Sequence, residues 1–193
     1  YAAYINCVTT DKAGNVYACG YFGKTIFFDT IELVGSNGNS MFIAKFSPEG
    51  KTLWAKTADS GSSTSVARAI SLAPDGNIYV TGKYNYPDCQ FGNYKLIVKD
   101  YMQADVFIVK YNKDGEVIWA KSVGGACGFT EAFSAAADSK GDVYIAGYFQ
   151  AQYILLDTIR LNNSATACGG IGCDLFIAKY SAEGKALWSK CTG

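Results

Sequence analysis

Three stretches of this chain carry nearly the same fifteen residues: FIAKFSPEGKTLWAK at 42–56, FIVKYNKDGEVIWAK at 107–121 and FIAKYSAEGKALWSK at 176–190. A second phrase recurs ahead of each, as GNVYACGYF at 14–22, GNIYVTGKY at 76–84 and GDVYIAGYF at 141–149. The second phrase steps by 62 and 65 residues (14 to 76 to 141), and the first by 65 and 69 (42 to 107 to 176). The two phrases therefore travel together, and only the length between them grows. An internal period of tens of residues constrains a fold more than any composition does, because each unit buries its apolar faces against its neighbours. The phase of the repeats divides the chain into units at 1–57, 58–122 and 123–193.

Each unit reads as strands. VYACGYF and its counterparts are short runs of Val, Ile, Tyr and Phe bounded by Gly, Asn and Asp, and helical three-and-four spacing is missing. In FIVKY-NKDG-EVIWAK two such runs flank a four-residue turn ending in Gly, which supplies the positive φ of a tight hairpin. SPEG and SAEG repeat the device, and the PDG and SKG corners upstream join another pair of strands in the same way. The result is four strands per unit, A to D, with near-continuous apolar runs in B and C. Recurring four-stranded antiparallel sheets predict an all-β fold, a β-propeller segment of three four-stranded blades that belongs to a larger propeller, since closed propellers use about 4 to 8 blades. A β-helix is the rival, with shorter rungs and fewer hairpin turns.

Composition narrows the function classes. At 49% hydrophobic the 193 residues can bury a substantial core. Seventeen basic and seventeen acidic residues cancel, with no long run of either sign, so no nucleic-acid or anionic-membrane partner is implied. No apolar run reaches the roughly 18 residues of a membrane-spanning helix. The opening YAAYINC has neither Met nor a charged leader, so the expectation is a mature or excised segment. Histidine is absent, which removes Ser/His and Cys/His pairs and imidazole metal sites, and the expectation is a non-enzyme without cofactor or metal. Seven cysteines without paired CxxC spacing favour an oxidising setting.

The pattern D-x-F-I-A-K-Y, then x-x-x-G-x-x-x-W-A-K, then G-N-V-Y-V-T-G-Y-F resembles the bacterial seven-bladed propeller repeats (SBBP repeats), over essentially the whole chain. It departs at Ser40, which stands where the other units have Asp105 and Asp174, and in a longer insertion before Asp174. The resemblance implies a large secreted or surface-anchored protein of the Bacteroidetes type, extracellular or on the bacterial cell surface, with no assigned catalytic residues. The remaining blades of the parent chain, or another subunit, are then the expected partners.

Differences between units suggest where a ligand binds. From strand B to strand C the spans are 20, 23 and 27 residues (Gly20 to Ser40, Gly82 to Asp105, Gly147 to Asp174), whereas the A–B and C–D turns keep their length. In an up-and-down blade all the variable material lands on one face, and variable loops on a rigid scaffold are where binding concentrates. Tyr84, Tyr86, Phe129, Tyr153 and Asn163 are the candidate residues there for a protein or glycan ligand; the other reading is a structural spacer whose loops vary in length without a ligand. An enzyme on the same face would draw on Asp59, Asp88 and Glu131, which have no partner residue at a convincing spacing. The recurring Trp54, Trp119 and Trp188, with Phe42, Phe107 and Phe176, read as packing between units. Lys45, Lys110 and Lys179 in strand C read as paired or snorkelling, with Asp105 and Asp174 as partners. DKAG, PDG and NKDG lack the spacing of a calcium loop and read as turns.

FFDTIEL at 27–33 and LLDTIRL at 155–161 share Asp-Thr-apolar, which resembles the O-glycosylation signal of Bacteroidetes proteins and makes Thr30 and Thr158 candidate acceptors. The alternative is a two-residue hairpin shared by descent. Among the cysteines, Cys168 and Cys173 flank glycines in the third insertion and are expected to staple it. Folding the hairpin about residues 11 to 15 sets Cys7 opposite Cys19, a second candidate disulfide, against the alternative of two buried thiols. Cys89 with Cys127 is a further candidate pair, which leaves Cys191 to pair outside the segment.

Overall fold

The computed structural model describes residues 2–59, 61, 63–98, 103–126, 128–164 and 172–192. Among the described residues every regular element is a β-strand and every pairing between these strands is antiparallel. Three meanders follow one another along the chain. The first is β1 (Ala3–Thr10), β2 (Val16–Phe28), β3 (Ile31–Phe46) and β4 (Thr52–Thr57). The second runs through β5 (Ser65–Leu72), β6 (Ile78–Asn85), β9 (Ala104–Tyr111) and β10 (Val117–Ala126), with the hairpin β7 (Asp88–Phe91) and β8 (Tyr94–Ile97) inserted before β9. The third is β11 (Thr130–Ala137), β12 (Val143–Phe149), β15 (Asp174–Tyr180) and β16 (Ala186–Cys191), with β13 (Tyr153–Leu156) and β14 (Ile159–Asn162) inserted before β15.

The repeated phrases lie at matching register. Ala18, Val80 and Ile145 of the GNVY phrases pair with Ala44, Val109 and Ala178 of the FIAK phrases. The expectation of three separate four-stranded sheets needs one correction. Hairpin β13–β14 of the third meander pairs with β10 of the second, through Gly124 with Leu155 and Ala126 with Tyr153, and makes that sheet six-stranded. An edge strand presents unpaired N–H and C=O groups, and the inserted hairpin satisfies them. The same contact recurs one unit earlier as an isolated bridge between Asp59 and Gln90.

Strand β9 shows how the core is built. All eight of its residues are buried. Phe107, Val109 and Tyr111 pack in the cluster between the first and second meanders, while Val106 and Ile108 pack in the cluster between the second and third. The period-2 alternation of a strand thus feeds two apolar slabs, one on each face of the sheet. The A strands lie next to one another, with β5 against β1 on one side and β11 on the other. The recurring Gly of strand B is dictated by this sheet: a Cβ on Gly20, Gly82 or Gly147 would overlap the carbonyl oxygen of Tyr4, Val66 or Glu131 in strand A.

Candidate functional site

The three A strands each carry a β-bulge at the same place, between Ile5 and Cys7, Ala67 and Ala69, and Ala132 and Ser134. The extra residues are Asn6, Arg68 and Phe133. A bulge releases its residue from the ladder and re-aims the side chain, and here each of the first two reaches the next unit. Asn6 Nδ2 donates to the Ala67 carbonyl at 2.7 Å. Arg68 Nε donates to Glu131 Oε1 at 2.6 Å, and its guanidinium lies 5.8 Å from the centre of the Phe133 ring. Lys83 Nζ reaches the other Glu131 oxygen at 3.2 Å. The Glu131 side chain is only 6% exposed, so the two cations neutralise a carboxylate held away from water. Phe133 stacks on Tyr148 at 5.7 Å, and burial together with the Glu131 charge pushes the Tyr148 hydroxyl above its ordinary pKa. Glu131 is therefore a junction between units. Sequence reasoning passed over Arg68 and Phe133, although the 62- and 65-residue steps align them with Asn6 as the chemically dissimilar position of otherwise similar strands.

The strand connections gather at two ends. At one, the A–B and C–D turns meet: Gly14 sits beside Pro48, and Ala182 N donates to Asp142 at 3.1 Å. This end holds a cleft of about 610 Å³ lined by Asp11, Lys12, Pro74, Lys113, Asp138 and Ser139, among others. Asp11 and Asp138 are occupied in their own turns, each accepting two backbone N–H bonds at 2.9 to 3.0 Å.

The variable B–C and D–A segments meet at the other end, where the five proposed ligand residues divide. Tyr84 is fully buried, its hydroxyl donating to Ser122 Oγ at 2.8 Å, so it belongs to the core. Its position in β6 faces the slab between sheets, which no loop-length argument could show. Asn163 is buried too and donates from Nδ2 to the Phe149 carbonyl at 3.1 Å. Tyr153 is half-buried beneath Arg160, whose guanidinium lies 3.8 Å from its ring centre. Tyr86 and Phe129 are exposed at 40% and 44%, and their backbones are linked through residues 103 and 104. Tyr86 N donates to the Gln103 carbonyl, the next residue Ala104 bridges to Phe129, and Gln150 N donates to the Phe129 carbonyl. Of the acidic candidates, Asp88 pairs with Lys95 at 2.9 Å and Asp59 accepts from Gly61 N, while Glu131 is held by Arg68 and Lys83. Among the described residues no cluster of three His, Cys, Asp or Glu side chains could hold a metal ion.

The strand-C lysines do not pair with Asp105 and Asp174. Five residues along a strand is an odd number, so those aspartates point to the opposite face from Lys110 and Lys179. Asp174 accepts from Ser164 N and Oγ, Asp105 from Ser122 Oγ, and Ser40 in the first unit accepts from Ser36 N. These residues hold loops. Lys45, Lys110 and Lys179 each stand about 5 Å over a tyrosine ring of strand B, Tyr17, Tyr79 and Tyr144.

Asp-Thr at 29–30 and 157–158 forms the two-residue turn of an inserted hairpin, with φ of 51° at Asp29 and 53° at Asp157, and Thr30 and Thr158 are exposed at the tips. The aspartates accept from the first backbone N–H of strand D, at Thr52 and Ala186, both at 2.8 Å. That bond holds the Asp29 carboxyl below its ordinary range. Cys7 does face Cys19, but both are free thiols, as are Cys89, Cys173 and Cys191. Facing Cβ atoms lie about 4.5 to 5.5 Å apart, wider than the roughly 3.8 Å of a disulfide, and the pair is left unbonded. Cys127 and Cys168, and with them the Cys89–Cys127 and Cys168–Cys173 pairings, lie outside the described residues.

No protein-family model matches the chain. An uncharacterized WD repeat-containing protein of Acanthamoeba polyphaga mimivirus is 28% identical over 156 residues, which cover 79% of this chain. The chain spans only 11% of that relative's length. A repeat-built, propeller-like arrangement is consistent with that similarity and with the all-β meanders. A crystal structure of a protein of unknown function from Bacteroides caccae covers 99% of this chain and 82% of its own at 12% identity, with a TM-score of 0.36, too low to bear on the fold.

Proposed function

We propose that the chain is a non-catalytic β-propeller module of a secreted or cell-surface protein, three blades long, that binds a protein or glycan at its loop-rich end. The observation that carries the reading is the exposed pair Tyr86 and Phe129, fixed on hydrogen-bonded loop backbone where the insertions vary. Exposed aromatics on rigid backbone offer large contact area at low entropic cost, and their faces stack on sugar rings or on apolar side chains. The repeated meanders and the WD-repeat relative support the propeller; the surface location follows the repeat resemblance. The carboxylate-based enzyme is disfavoured because Glu131 is engaged by two cations and Asp88 by one. Screening the protein against glycan and protein arrays, then titrating any hit with Tyr86→Ala and Phe129→Ala, tests the proposal. Each substitution is expected to weaken binding at least about tenfold, since truncating an aromatic anchor costs over 1 kcal/mol. A hit that survives both and is lost on Lys12→Ala would move the site to the cleft at the opposite end.

A further inference from the structure

The equivalent lysines Lys45, Lys110 and Lys179 stand over equivalent tyrosines, but what else each ammonium meets differs. Lys110 Nζ donates to the Ala182 carbonyl of the following unit at 2.9 Å. Lys179 Nζ pairs with Asp138 at 3.0 Å and with Asp142 at 2.9 Å. Lys45 is half-buried 5.0 Å from the centre of the Tyr17 ring and, among the described residues, makes no ion pair. The sequence supplies the reason. Asp11 stands where the third unit has Asp138, but both its oxygens are turned into its own loop. Oδ1 accepts from Ala13 N and Asn15 N at 2.9 Å, and Oδ2 from Asn15 Nδ2 at 2.8 Å and the Tyr17 hydroxyl at 3.2 Å. Where the third unit has Asp142, the first has the neutral Asn15.

The two junctions between units differ at the same end. Between the second and third units the Tyr79 hydroxyl donates to the Gly141 carbonyl at 2.6 Å, and this bond and that of Lys110 tie strands B and C of one unit to the turns of the next. Between the first and second units Tyr17 donates to its own Asp11 instead, and the Lys113 carbonyl, the counterpart of that of Ala182, receives Trp54 without the lysine. The cleft of about 610 Å³ lies here, in the size range of small-molecule sites. The first unit contributes Lys12, Tyr17 and Lys45 to its lining and the second Leu72, Pro74 and Lys113, so two consecutive units joined within the chain form it. Its charge decides the sign of a ligand. Of the two aspartates in the lining, Asp138 is neutralised by Lys179, which leaves three ammonium groups against Asp11.

We propose that this cleft binds a small molecule through an oxyanion group, with Lys45 as the principal donor. In both equivalent positions the ammonium takes an oxygen acceptor from the protein; in the first unit the ligand supplies it. A charge held partly out of water is costly until it is paired, and a charge-assisted hydrogen bond is stronger than a neutral one. Lys12 and Lys113, both exposed, add positive charge at the rim, and Leu72 with Pro74 offers apolar surface to the body of the molecule. The site is separate from Tyr86 and Phe129 at the other end and does not rest on their binding a ligand.

Calorimetric titration of the 193-residue chain with inorganic phosphate and, separately, with citrate at low ionic strength tests the proposal. Saturable binding of at least one of them is expected, with a dissociation constant of at most about 1 mM. Phosphate as the better ligand assigns a tetrahedral ester-type group, and citrate a polycarboxylate. Lys45→Met is expected to weaken binding at least about tenfold, as for loss of a charge-assisted hydrogen bond. The double variant Lys12→Ala/Lys113→Ala alters only exposed side chains, so it keeps the fold, and it is expected to weaken binding severalfold. Lys185→Ala, an exposed lysine outside the cleft, and Tyr86→Ala are expected to leave binding unchanged. In amide proton–nitrogen spectra the signals of Ala13, Gly76 and Lys113 are expected to shift with the titration. Absence of saturable binding of either ion below about 10 mM overturns the proposal. So does binding that Lys45→Met and the double variant both leave unchanged, or binding lost in Tyr86→Ala while the lysine variants keep it.

Discussion

Replacing the equivalent tryptophans Trp119 and Trp188 one at a time by alanine separates what a unit contributes from what its neighbour contributes. Trp119 is 8% exposed and Trp188 is 38% exposed, a difference of 30 percentage points for one residue type in one local strand. Both keep a strand-B tyrosine at about the same distance, 5.8 Å for Tyr79 and 5.9 Å for Tyr144, so the difference comes from the next unit. On a tryptophan of roughly 230 Å² that is about 70 Å², or about 1.7 kcal/mol at about 25 cal/mol per Å². The hydrogen bond to Ala182 adds about 0.5 to 1.5 kcal/mol; Lys110 Nζ also donates to that carbonyl at 2.9 Å, so its loss leaves no orphaned acceptor. Trp119→Ala is expected to cost about 3 to 5 kcal/mol, and Trp188→Ala about 2 to 3 kcal/mol less. Urea unfolding reads both values; in a thermal scan the gap corresponds to roughly 5 to 10 °C for a chain of this size. Equal costs for the two substitutions would refute the idea that the following unit's turn is what the tryptophan holds.

Lys179 holds the Asp138 carboxyl below its ordinary pKa of 3.8, so that pair stabilises the fold at neutral pH and loses its effect only as pH falls through the lowered value. Lys179→Met is therefore expected to be less stable than wild type above about pH 4, with the two stability curves converging in stronger acid; curves that stay parallel to pH 2 would contradict the assignment. Burial pushes the Cys89 thiol up to about 12 and the Cys19 thiol higher still, whereas Cys173 and Cys191 are exposed. Alkylation at pH 8 under native conditions is expected to label Cys173 and Cys191 within minutes and to leave Cys19 and Cys89 unmodified until the chain unfolds; early labelling of Cys19 would show that β1 opens from β2.

The strands and their order were legible in the sequence because what makes a hairpin is local. Alternation through FIVKY and YIAGY, a turn glycine at Gly115 or Gly184, and the Asp-Thr corners at 29 and 157 all act over four to eight residues, and the repeat prints the first two three times and the corners twice. The facing of Cys7 and Cys19 followed from the same local reasoning and held, but whether the thiols join is a matter of about an ångström that strand pairing alone does not set. What tertiary structure decided is which neighbour each face meets. Tyr84 reads as a loop-face aromatic until the slab between two sheets encloses it, and Asp105 reads as a lysine partner until the pleat turns it towards Ser122. Hairpin β13–β14 is continuous in sequence with the third unit and hydrogen-bonded to the second. Arg68 and Phe133 gain their meaning only when three bulges line up on adjacent A strands. Burial, junction chemistry and exposed binding aromatics depend on contacts some sixty residues away in the chain, and the repeat period announces that those contacts exist without saying which side chains make them.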